Sequence, residues 1–89
     1  MVVRNLQEVR ELKELLERIT GFIADYGGEQ HLDDPDFKYA CNVADALAWV
    51  LGEIDTGEFT GPNYLNLDRL MAMVKEIEKK RGVKFSEYK

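Results

Sequence analysis

The one stretch where residue types gather as if for chemistry is Glu29-Gln30-His31-Leu32-Asp33-Asp34-Pro35-Asp36, an imidazole and four carboxylates within eight residues. Oxygen-rich sets of this kind suit Ca²⁺ or Mg²⁺. The spacing does not follow a calcium-binding helix–loop–helix, and Pro35 stiffens the segment where an ion would need it to wrap. Asp34 and Asp36 already have a role at a helix start, and His31 is the only histidine, so no metal site is expected. Cys41, the single cysteine, lies beside an apolar stripe. A nucleophilic pair with His31 is therefore less natural than an inert, partly buried thiol. Gly27-Gly28 and the span from Gly57 to Gly61 lack the Lys-Ser/Thr that a phosphate-binding loop requires.

Paired carboxylates occur once at helical spacing, in Glu14-Leu15-Leu16-Glu17. This resembles the first half of the motif in the helical nucleotide pyrophosphohydrolases (the MazG-like family), which bind Mg²⁺ through E-x-x-E followed by E-x-x-D on facing helices. The resemblance would imply metal-dependent nucleotide hydrolysis, but it stops there. Glu29 and Asp33 are separated by three residues and lie between helices. Direct nucleic-acid binding is not expected either: net charge is −5, and the basic cluster of the last helix, Lys79-Lys80-Arg81, sits at its C-terminal end. The segment from Asp55 to Asn66 is also too long for the tight turn of a helix-turn-helix. No cofactor is called for, and the sequence points to binding rather than catalysis.

Three helices must position whatever does the binding. The first is expected over residues 4–26. Val9, Leu12, Leu16, Ile19, Ile23 and Tyr26 recur at steps of three and four, and Leu6, Leu15 and Phe22 widen the seam. Glu14 and Arg18 form a favourably oriented pair on its outer side. Gly27-Gly28 is expected to stop it in a left-handed conformation. The second helix is expected over 35–54, with Asp34 as cap, Pro35 at the first position and Asp36 at the positive end of the dipole. The third runs over 67–81. Asn66 caps it, Leu65 and Leu70 form a staple, Leu67, Leu70, Met71, Val74 and Ile77 make the stripe, and Lys79-Lys80-Arg81-Gly82 closes it. The tail from Val83 to Lys89 folds back through Val83 and Phe85 or forms a short edge strand. The fold expected is all-α, a single domain over 1–89: a small three-helix bundle, the second helix in the middle, and a short C-terminal tail.

The second helix carries two apolar stripes. Phe37, Ala40, Ala44, Leu47, Leu51 and Ile54 form one, with Cys41 and Ala48 alongside; Tyr39, Val43, Ala46 and Val50 form the other. Flanking helices would cover both, or one is left for a partner. Trp49 stands on the polar ridge with Asp45 and Glu53. It either tucks under the loop that holds Phe59, Pro62 and Tyr64 or serves as a binding anchor.

Charge adds a second theme. Residues 1–24 are balanced, 25–58 hold nine acids against Lys38, and 69–89 hold seven bases against three acids. No stretch reaches the ~20 apolar residues of a membrane span, the N-terminus from Met1 to Asn5 lacks signal-peptide features, and one cysteine fits the cytoplasm. The leading expectation is a cytoplasmic protein-interaction module, itself as partner in a homodimer, acting through Tyr39, Val43, Ala46, Trp49 and Val50. The alternative is an acidic inhibitor of a nucleic-acid-handling enzyme, of a phage or mobile-element kind. It would present Asp33, Asp34, Asp36, Asp45, Glu53, Asp55 and Glu58.

Overall fold

Local signals fix where the helices start. In the computed structural model, which describes residues 3–88, Asn5 caps helix α1 (Leu6–Tyr26), its side chain accepting the Glu8 N–H at 2.8 Å. A one-turn helix α2 (Glu29–Leu32) follows, then α3 (Pro35–Val50), a second one-turn helix α4 (Thr56–Phe59), and α5 (Leu67–Arg81). A 3₁₀ turn spans Phe85–Glu87, and no strand occurs among the described residues. Three long helices therefore stand where three were expected, as in a small all-α helical bundle. The expectations that touch Met1, Val2 and Lys89 lie outside the described residues.

Caps match the sequence where they are local. Asp34 Oδ1 accepts the Asp36 N–H at 2.8 Å ahead of Pro35, and Asn66 Oδ1 accepts the Arg69 N–H at 3.0 Å. At the other end of α5, Gly82 takes the left-handed conformation (φ 67°). Two ends differ from expectation. Gly27 is extended (φ −85°, ψ 169°), not left-handed. What glycine supplies there is room, because a Cβ would stand 2.6 Å from the Ile23 carbonyl oxygen. The second predicted helix ends at Val50, four residues early. Gly52 turns left-handed at φ 78°, the Gly52 N–H bonds to the Trp49 carbonyl, and the Glu53 N–H reaches back to Ala48 at 2.9 Å. That paired closure is a Schellman end, in which the glycine escapes the Cβ clash any other residue would meet.

Packing divides the chain into two compact units, one up to Thr56 and one from Gly57 onward. In the first, α1 packs on α3, with α2 in the connection between them. Side chains withdrawn from solvent include Val9, Leu16, Thr20 and Ile23 on α1, Phe37, Ala40, Cys41, Val43, Ala44, Ala46, Leu47 and Ala48 on α3, and Leu51 just after it. Ala40, Ala44 and Ala48 are small residues one turn apart, a spacing that permits close approach of a neighbouring helix. Ala48, at 8% exposure, is the one buried residue among those described. An interhelical clasp closes this unit. The turn after α3 brings the Glu53 carboxylate to 2.7 Å from Lys13 Nζ, which also holds Glu17 at 3.0 Å.

In the second unit, α4 leads into a turn where the Leu65 N–H bonds to the Phe59 carbonyl and the Phe59 and Tyr64 rings lie 6.2 Å apart. After Gly82 the tail returns to α5: the Phe85 N–H donates to Glu78 Oε2 at 2.7 Å. Of the two routes open to the tail, the fold-back is the one taken.

Candidate functional site

Pairing α1 with one neighbour uses only part of its apolar arc. Val9, Leu16 and Ile23 turn inward, whereas Leu12, Ile19 and Tyr26 of the same predicted seam remain exposed together with Leu15 and Phe22. Successive residues advance about 100° around a helix, which places these five side chains on one strip beside the inward face. Phe22 is 66% exposed and Tyr26 78%, their rings 5.0 Å apart. Leu15, Arg18, Ile19, Phe22 and Ile23 line a shallow groove.

Helix α3 leaves the two ends of its second stripe exposed. Tyr39 is 71% exposed and Val50 57%, with Val43 and Ala46 half-buried between them. Trp49, on the adjoining ridge, is partly exposed and its indole N–H donates to Thr56 Oγ1 at 3.0 Å. The indole is thus held by the first residue of α4, while part of its ring remains accessible.

The acidic residues occupy separate local settings. Asp34 is a helix cap, Asp36 sits in the first turn of α3, and Glu53 belongs to the clasp with Lys13. The Asp33 backbone N–H closes α2. Asp45 is half-buried, and removal from water pushes its carboxyl above the usual aspartate range. Asp55 and Glu58 lie exposed beyond α3. Donating a hydrogen bond to Glu53, the larger cause, and another to Glu17 raises the Lys13 ammonium above the ordinary lysine value.

Groups that suggested chemistry have structural duties. His31 Nδ1 accepts the Gly28 N–H at 3.0 Å, and Cys41 is a half-buried free thiol. Glu17 of the Glu14–Glu17 pair is bound to Lys13, and the α1 ion pairs within 4 Å are Arg4–Glu8 and Lys13–Glu17 rather than Glu14–Arg18. Among the described residues no three His, Cys, Asp or Glu side chains converge as a metal site would require. No helix of the described residues is long and apolar enough to cross a membrane.

One feature escaped the sequence. Val74, Ile77, Val83, Phe85 and Tyr88 line an apolar cleft between the end of α5 and the returning tail. Its signal was the alternation of apolar residues after Gly82, which does not reveal the hydrogen bond to Glu78 that shapes the turn. No protein-family model, curated protein or solved structure matches this chain, so its function is read from these residues alone.

Proposed function

We propose that this protein is a cytoplasmic protein-interaction module, without catalytic activity of its own, that completes its hydrophobic core by associating with a second copy. One observation carries the reading. In a chain that is 45% hydrophobic, only Ala48 is buried among the described residues, while α1 keeps Leu12, Leu15, Ile19, Phe22 and Tyr26 exposed and α3 keeps Tyr39 and Val50 exposed at the ends of its second stripe. Scattered exposed apolar residues need no explanation, but contiguous stripes rimmed by charge mark interaction surfaces. Small domains have little stability to spare, and association is a common way of adding to it. The free thiol of Cys41 suits a reducing compartment.

Tyr39, Val43, Ala46, Trp49 and Val50 on α3, together with the α1 strip, are the surfaces available for binding. The acidic-inhibitor reading has less support, since two of its carboxylates, those of Asp34 and Glu53, are committed to a helix cap and an interhelical ion pair.

Light scattering after size exclusion, over a hundredfold range of protein concentration, tests the proposal. A dimeric or larger mass is expected, with a thermal midpoint that rises with concentration. A monomer with a concentration-independent midpoint overturns it.

A further inference from the structure

We infer that a lysine-lined groove between the last turns of α5 and the returning tail is a binding site for a phosphate monoester dianion. The inference is independent of self-association and concerns the second unit alone. Lys75 and Lys79 stand one turn apart on α5, on the same side of the helix. Lys84 and Ser86 arrive from the tail, after the left-handed Gly82 ends the helix. Together these four line one open groove of about 570 Å³.

Nothing among the described residues engages these side chains: none of the four makes a hydrogen bond or an ion pair. Other lysines of the chain are held, Lys80 by Glu76 at 2.8 Å and Lys13 by Glu17 and Glu53. Helix-end electrostatics account for Lys79, which lies in the last turn of α5 with Lys80 and Arg81. That effect fades within one turn. Lys75 precedes the turn and Lys84 follows the cap, so the dipole explains neither.

The charge left over defines the ligand. Glu78 is the one carboxylate lining the groove, and its Oε2 already accepts the Phe85 N–H at 2.7 Å. Three ammonium groups against that carboxylate leave a local charge of +2. Of the neighbouring acids, Glu76 is bound to Lys80 and Glu87 lines the adjoining apolar cleft instead. A phosphate monoester carries about −1.5 to −2 charge near neutral pH and offers three acceptor oxygens. Lysines donate from flexible stems without demanding a fixed geometry, and the Ser86 hydroxyl adds a further donor. A carboxylate or sulfonate would answer only half of the charge.

NMR titration of the full chain with phenyl phosphate, at pH 8 and fixed ionic strength, tests the site. Saturable shifts are expected at the amides of Lys75, Lys79, Lys84 and Ser86. Benzenesulfonate has the same ring with a single charge and should bind about tenfold more weakly. At pH 5 the phosphate has taken up a proton, and its affinity should fall about threefold or more. Lys75→Gln and Lys84→Gln should each weaken binding about threefold to fivefold. Lys80→Gln removes a cation paired outside the groove and should change binding by less than about twofold. All three positions are exposed, and unchanged shifts in the rest of the chain confirm the fold. Shifts that never saturate, equal affinity for benzenesulfonate, or an equal loss with Lys80→Gln would overturn the inference.

Discussion

Helices α1 and α3 pack against each other, and the apolar residues outside that contact differ in kind between them: α1 leaves a strip exposed, α3 only the ends of a stripe. The strip on α1 carries five large side chains with alternating charge along one edge. The stripe on α3 is shorter, its middle positions Val43 and Ala46 are half-buried, and acids dominate its surroundings. Equal hydrophobicity therefore does not make equal surfaces. The charged rim of an apolar face decides which partners it can tolerate.

The largest effect expected within α1 separates its inward and outward rows. Leu16→Ala removes a half-buried contact with α3 and should cost about 2 kcal/mol of folding stability at every protein concentration. Its neighbour Leu15→Ala should lower the thermal midpoint only where dimer is populated, the loss vanishing on dilution. Equal losses at all concentrations would place Leu15 in the folding core and erase the distinction.

A smaller effect comes from the clasp. Because its carboxylate partners raise Lys13, the ion pairs stabilise the folded chain below the ordinary lysine pKa of 10.5. That contribution is lost as pH rises through the higher folded value. Thermal unfolding of the wild type should accordingly weaken more steeply above pH 10.5 than that of Lys13→Met. Identical pH profiles would mean that the clasp is too well solvated to matter.

Smallest is Asp45, on the ridge of α3. Burial raises its carboxyl, so its contribution to stability is greatest below the ordinary value of 3.8 and declines as pH rises through the folded pKa. Asp45→Asn removes the ionised group's penalty and should raise the midpoint slightly at pH 7, with no gain near pH 3. A fall at pH 7 would show that the carboxylate has a partner in solution.

What the sequence revealed and what it hid divide along the distance over which each signal acts. Asp34-Pro35 and Asn66 with Gly82 were readable because caps and stop residues work within one turn. Gly52 was passed over because Ile54 continues the apolar stripe in phase, so periodicity argued for helix where backbone chirality ended it. Helices α2 and α4 are single turns, too short to show a period. The division of the α1 seam was also hidden. A wide apolar arc says that a helix is covered on several sides, not how many of its neighbours come from its own chain. Lys13 and Glu53 lie forty positions apart, and only the turn after α3 brings them together. The α3 stripe was legible as a candidate surface. The exposed strip on α1 was not legible, because its residues share the period of the inward seam.

The bond from the Phe85 amide to Glu78 has a consequence for how the C-terminus behaves in time. Val83 and Phe85 remain more than half exposed, so little apolar burial holds the returning segment beyond that bond and the cleft it shapes. Segments with few buried contacts open by themselves, at a free energy well below that of global unfolding. The end of the chain is therefore a latch with its own opening equilibrium. The Phe85 amide would be its natural clock in hydrogen exchange, slower than an exposed tail amide and faster than the core of α3.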